Sequence, residues 1–155
     1  MWHHAHVRAG AVVGTNCVLG QNTFVDVGVH VGDRVKLENN VSVHAGVTIG
    51  DEVFVGPGAV FTNDRYPRAQ SVDFEPVPTV IGRGASIGAN ATVVCGHDVG
   101  EHAMVGAGAV VTHEVPAHAL VVGNPARLAG WVCACGRVVT QETTRPARVV
   151  CEHCR

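Results

Sequence analysis

Four cysteines near the end of the 155-residue chain have the residue type and spacing of a metal centre. Cys133-Ala134-Cys135-Gly136 and, after fifteen intervening residues, Cys151-Glu152-His153-Cys154 form a C-x-C…C-x-x-C pattern. Two close pairs of thiolates suit a tetrahedral structural Zn²⁺, and Gly136 supplies a tight knuckle between ligand and strand. A tail of about 25 residues buries too little apolar surface to order itself, so a metal staple is expected over 131–155. The other chemistry-bearing groups are dispersed. Among ten histidines, His44 follows a large apolar residue and should point outward, with the intrinsic pKa of a base that works near neutrality. Arg65, Arg68 and Arg127 carry planar forks suited to phosphate or carboxylate oxygens. Gln21, Glu38 and Asn40 are polar groups on the repeat surface, able to hydrogen-bond hydroxyl groups of a ligand. Cys17 and Cys95 lie within apolar surroundings and are expected to pack rather than react.

What must position these groups is a repeat of six. Large apolar residues stand at Val7, Val13, Leu19, Val25, Val31, Leu37, Val43, Ile49, Val55 and Phe61, and again at Ile81, Ile87, Val93, Val99, Val105 and Val111. Glycine often follows, and the fifth residue of each unit is small or β-branched, as at Ala59, Ala85, Ala91, Ala103 and Ala109. A period of six cannot be one helix face, which needs 3.6 residues per turn. It fits a short strand plus a turn. Three units make a triangular coil, and stacked coils make a left-handed parallel β-helix, all-β, of about five to six coils. Gly and Asn at the second to fourth positions suit corners that need positive φ. The phase breaks between 62 and 79, in a polar stretch with Asn63, Arg65, Tyr66 and Arg68. A long loop thrown out of a rigid repeat reads as a functional loop. His97 falls on a small, inward fifth position, where an imidazole is costly unless hydrogen-bonded. The expected organisation is a β-helix over 1–130 with an extruded loop at 62–79, and a Cys-rich, zinc-ribbon-like tail over 131–155.

Composition excludes several classes. Aromatic content is 5% and there are only 2 Met, which argues against a helical bundle. A net charge of −2 gives no basic field for nucleic acid or an anionic membrane surface. No apolar run reaches the length of a membrane span, and the start Met1-Trp2-His3-His4 has no secretory signal pattern. A cytoplasmic address is expected.

Three features together resemble a known family: the repeat, the loop Phe61-Thr62-Asn63-Asp64 with Pro67-Arg68, and the exit segment Val121-Val122-Gly123-Asn124-Pro125-Ala126-Arg127. They look like the left-handed β-helix acyltransferases that use acetyl-CoA. Gln21-Asn22, Glu38-Asn39-Asn40-Val41-Ser42-Val43 and Gly84-Ala85-Ser86-Ile87-Gly88-Ala89-Asn90 narrow the likeness. They are similar to bacterial nucleotide-sugar N-acetyltransferases acting on 3-amino sugars of UDP or dTDP, enzymes of lipopolysaccharide and other cell-surface polysaccharide synthesis. The resemblance covers roughly residues 2–132. It implies a homotrimer with active sites between neighbouring prisms, and acetyl-CoA as co-substrate. It implies backbone contacts from Ala89 and Ala107 to the pantetheine arm. Thr112 and His113 would lie near the phosphate end, with Arg127 as a phosphate partner. It implies that Asn63 holds the 3-amino group, with Arg65 and Arg68 on a diphosphate or sugar carboxylate. Relatives often carry an acidic residue where this chain has Ala45, which leaves His44 as base or orienting residue. Relatives also carry a further coil upstream, so the edge of the first coil is expected to be exposed.

Other functions fit the same repeat. An O-acetyltransferase acting on a sugar or small metabolite needs the same cofactor. A non-catalytic trimeric scaffold is kept open by the Ala45 departure. A γ-class carbonic anhydrase shares the fold, and His97 and His102 have its five-residue ligand spacing. Its phase does not match: aligned repeats put Ala89 and Val94 or Cys95 at the ligand positions.

Overall fold

The computed structural model describes residues 1–154; Arg155 lies outside the described residues. Of eighteen short strands, most of two residues, the first sixteen wind into a three-faced parallel β-helix and the last two pair antiparallel onto its end; a 3₁₀ turn at Glu152–Cys154 is the one helical element described. Register explains the period. Val7 pairs with Val25, Val25 with Val43, Val43 with Phe61, Phe61 with Val93 and Val93 with Val111, so one face stacks six strands and the molecule has six coils. The second face stacks Val13, Val31, Ile49 and Ile81, extended by single bridges to Val99 and Val115. The third stacks Leu19, Leu37, Val55, Ile87, Val105 and Val121.

These leading residues fill the prism. Phe61, Ile81, Ile87 and Val93 are fully buried, with Ala59, Ala85, Ala91 and Ala109 beside them at the corners. Each such Val or Ile contributes roughly 1.5–3 kcal/mol relative to exposure. In the first coil Val7 and Val13 are only half-buried.

The corners divide two duties that the sequence reading merged. Positive φ belongs to the fourth position of the unit, at Asn22, Gly28, Asn40, Asn90 and Gly96 alike. Glycine at the second position serves close approach: a Cβ on Gly56 would stand 2.6 Å from the Ala89 backbone nitrogen of the next coil. Side chains at the fourth position stack up the corner. Asn22 donates to Asn40 at 3.0 Å and Arg34 pairs with Glu52 at 2.9 Å, while Arg83, at the third position of the next coil, reaches Glu52 at 3.1 Å.

The extruded loop runs from Thr62 to Pro78. Thr79, expected in the loop, is the buried first residue of the strand Thr79–Ile81. The chain therefore spends twenty residues between Phe61 and Ile81 where six suffice elsewhere. The tail is joined to the prism more firmly than a border at 130/131 suggests. The strand Arg127–Val132 crosses that border, pairs antiparallel with Ala119–Val122 and then with Val138–Thr140, and Trp131 belongs to the core.

Candidate functional site

The three edges of the prism carry different chemistry. On the edge between the first and second faces, successive coils present Arg8, Asp26, His44, the extruded loop, His97 and Thr112-His113. Asp26 is the organiser of the lower part. It accepts from Arg8 at 2.7 Å, from the Val27 amide at 2.7 Å and from the Ala45 amide at 3.3 Å. Burial pushes its pKa up, but the Val27 amide, the Arg8 guanidinium and the Ala45 amide prevail and hold the carboxyl below its ordinary value. Its second oxygen stands 4.0 Å from His44 Nδ1, and the His44 ring rests against Phe24 with centroids 5.7 Å apart. His44 therefore points outward as expected and is half-exposed. Sequence reasoning missed Asp26. The signal was present, because residues eighteen apart share an edge and His44 minus eighteen is Asp26.

The loop sits one coil above. The Asn63 carbonyl accepts the Val77 amide at 2.9 Å, which pins the loop's neck, and Asn63 is half-buried there. Arg65 and Arg68 are exposed, and Arg68 donates to the Pro67 carbonyl at 2.7 Å, folding back on its own backbone. The loop encloses a 580 Å³ concavity that Arg65 shares with Asp64, Asp73 and Glu75. Three carboxylates beside the Arg65 guanidinium make that concavity a poor receptacle for a diphosphate.

His97 does not occupy the inward position that the repeat assigns it. Cys95 is fully buried in its stead, and the His97 imidazole is half-exposed beside His113, with ring centroids 6.1 Å apart. The reason lies in the loop, whose two ends widen this corner: Thr62 Oγ1 accepts the Cys95 amide and Thr79 Oγ1 accepts the Gly96 amide. The cost of burying an imidazole is thereby avoided. Above His97, Thr112, His113 and Arg127 line a groove of 350 Å³ with Pro116, Ala126 and Leu128. Three of the residues expected near a cofactor phosphate are thus brought together.

Gln21, Glu38, Asn40, Ala89 and Ala107 stand on another edge, between the third and first faces. Asn40 accepts from Asn22, Glu38 pairs with Lys36 at 2.7 Å, and the Gln21 amide donates to Asn39. Ala89 and Ala107 stack one coil apart, and the Gly108 amide donates to the Ala89 carbonyl at 2.8 Å. One prism does not bring these five residues to the loop.

The four tail cysteines converge. Their sulfurs all lie within 4.8 Å of one another, with Cys135 and Cys151 at 3.5 Å. Tetrahedral Zn–S bonds would place sulfurs about 3.8 Å apart, so the cluster fits a Zn²⁺ with little movement. Backbone amides of Cys135 and Cys151 donate to the Cys133 sulfur and lower its pKa to about 6, so a thiolate ligand is available near neutrality.

Comparison with known proteins places this geometry. The description "Bacterial transferase hexapeptide (six repeats)" matches residues 28–63, and "Hexapeptide repeat of succinyl-transferase" matches residues 10–45 and 78–113. A hexapeptide-repeat-containing acetyltransferase of Vibrio cholerae, solved with acetyl coenzyme A, is 31% identical, with a TM-score of 0.58 over 73% of this chain and 69% of that one. The chain belongs to the hexapeptide-repeat transferases. Among curated proteins, the dTDP-3-amino-3,6-dideoxy-α-D-galactopyranose 3-N-acetyltransferase of Aneurinibacillus thermoaerophilus is 43% identical to this transferase over 57 residues, 37% of this chain and 30% of that one. The acetyltransferase domain of PglB from Neisseria gonorrhoeae is 26% identical, with a TM-score of 0.57 over 79% of this chain and 56% of that one. The transferase therefore spans about a third of the curated relative and just over half of the PglB domain. Among the described residues, no helix is long and apolar enough to cross a membrane.

Proposed function

We propose that this hexapeptide-repeat transferase moves acetyl from acetyl-CoA to the 3-amino group of a nucleotide-linked amino sugar. The observation that carries the reading is the edge on which the half-buried Asn63, at the neck of the extruded loop, lies between His44 below and the groove of Thr112, His113 and Arg127 above. The amino-sugar N-acetyltransferase activity of the Aneurinibacillus relative supports the acceptor, and the Vibrio complex with acetyl coenzyme A supports the cofactor.

Asn63 orients the amine, since an amide is too weak a base to deprotonate it. His44, steadied through Asp26, contacts the sugar. Arg127 takes a cofactor phosphate, and Ala89 and Ala107 offer backbone groups to the pantetheine arm. Arg65 and Arg68, both exposed on the loop, pair with an anionic part of the acceptor.

The site is completed between chains. Gln21, Glu38, Asn40, Ala89 and Ala107 face away from the loop on a rigid prism. They join it only if the edge of one prism meets the neighbouring edge of the next, as in a closed cyclic homotrimer. In the tail, Cys133, Cys135, Cys151 and Cys154 hold a structural Zn²⁺ that staples the last strand to the prism.

The deciding experiment incubates the protein with acetyl-CoA and a panel of UDP- and dTDP-amino sugars, with free thiol and product mass as readouts. Acetylation of a 3-amino sugar is expected. Acetylation of hydroxyl acceptors alone would make it an O-acetyltransferase, and no thiol release with any acceptor would make it a scaffold.

A further inference from the structure

The His97 imidazole has no task in the fold. Cys95 fills the inward place of its hexapeptide, so nothing in the core needs a side chain at 97. Yet the turn that carries it is held by both ends of the loop. Thr62 Oγ1, at one end of the loop, accepts the Cys95 amide at 2.9 Å, and Thr79 Oγ1, at the other end, accepts the Gly96 amide at 3.0 Å. Gly96 is at φ +79° and packs against the loop: a Cβ there would meet Val77 Cγ1 at 3.1 Å and Arg65 Nη1 at 3.8 Å. Val77 is the residue that donates to Asn63. The contacts that fix the Asn63 neck therefore also fix His97. On its far side the ring lies tilted beside His113, with centroids 6.1 Å apart, and His113 Nδ1 lies 3.0 Å from Thr112 Oγ1 at the mouth of the proposed cofactor groove.

We propose that His97, placed between the Asn63 neck and that groove, takes the proton from the attacking amine. This rests on the amine-acetylation reading above. The amine lone pair forms the N–C bond to the thioester carbonyl, and the C–S bond breaks with its electron pair leaving on sulfur. The surplus proton on nitrogen passes to the imidazole and from there to the thiolate, giving the amide and free CoA thiol.

The surroundings suit the role. Burial first, then the Arg65 guanidinium and His113, push the His97 pKa below its ordinary 6.5; Glu114 and Asp98 pull the other way and do not prevail. A lowered pKa means the neutral ring, with its lone pair free, persists at neutrality and is lost only on acidification below 6.5. His44 is differently placed, two coils below on the same edge and beside Asp26 rather than at the cofactor groove.

The test compares the wild type with His97→Asn and His97→Gln, using dTDP-3-amino-3,6-dideoxygalactose and saturating acetyl-CoA, with thiol release followed from pH 5.5 to 9. The wild-type kcat should fall only below pH 6.5. Both variants should lose about a hundred- to ten-thousandfold in kcat at pH 7, with activity recovering toward alkaline pH and KM little changed. Equal kcat in wild type and variants, or a loss with an unaltered pH profile, would overturn the proposal. Histidine NMR of the folded wild type guards against variants that fail to fold: a His97 titration above 6.5 would equally overturn it. If the wild type turns over no amine, the broader reading fails; if it does and His97 is dispensable, only this inference fails.

Discussion

Asp26 gathers an arginine, two backbone amides and a histidine around one carboxylate, and its value to the site is directional. With one oxygen occupied by Arg8 and the Val27 amide, the other is left to face His44 and the Ala45 amide. His44→Ala should therefore act on binding. KM for the amino sugar should rise about three- to tenfold, the worth of one hydrogen bond to a neutral group, while the pH dependence of kcat keeps its shape. Asp26→Asn should give the same signature through loss of orientation. Steady-state kinetics across pH 6–9 check both; a vanished acidic limb in His44→Ala would make His44 the base. The contrast with His97 shows why residue type is a weak guide. Both are half-exposed imidazoles on one edge, and only their neighbours separate a ring facing a carboxylate from one facing an arginine and a second histidine.

The extruded loop and the stacked corners behave as separate elements. The Thr62 and Thr79 hydroxyls, the Asn63–Val77 bond and the Thr62 and Thr79 amides, which donate to Val93 and Gly46, tie the loop neck into the coil, whereas the segment from Asp64 to Glu75 packs its polar side chains outward. Replacing 64–75 by a short Gly/Ser link should leave the thermal midpoint within a few degrees while amine acetylation is lost, as melting curves and thiol release would show. A core change should do the opposite: Phe61→Ala, in the coil that launches the loop, should cost about 3–5 kcal/mol by chemical denaturation. The corners also set an acid limit. Asp33 is held below its ordinary pKa by the Thr15 amide and hydroxyl, Glu52 by Arg34 and then Arg83, and Asp26 as described above. A carboxylate lowered on folding adds stability above its unfolded pKa and loses it as pH falls through the folded value. The melting temperature should thus be flat above about pH 5 and decline below pH 4.

At the scale of the whole molecule the chain is a prism whose end carries a cluster of four cysteines, proposed above to hold zinc. Purified protein should contain one zinc per chain, and Cys133→Ser or a strong chelator should lower the melting temperature by freeing Val138–Thr140 from Arg127–Val132. Elemental analysis finding no metal would remove the staple. Sedimentation should give a mass three times 16.1 kDa. If the proposed site draws on residues of two edges, the monomer is incomplete, and activity per chain should fall on dilution as trimers dissociate.

Most of the fold was legible in the sequence, because a β-helix is a one-dimensional code. Each coil repeats the one before, so phase alone assigns Val25, Phe61 and Val93 to the core and Asn40 and Asn90 to corners, and a break in phase marks the loop. The cysteine spacing likewise announced a cluster. Three things needed the tertiary structure. Cys95 displaces His97 from the core because Thr62 and Thr79, seventeen residues apart, meet at one corner. Arg68 folds onto its own backbone, which no spacing rule foresees. Trp131 joins the core because the strand Arg127–Val132 turns back onto the third face. In each case the deciding contact lies between residues that the repeat does not relate. A repeat fixes what recurs from coil to coil, whereas function sits where the recurrence is broken, and there only the positions of distant groups decide which side chain faces which.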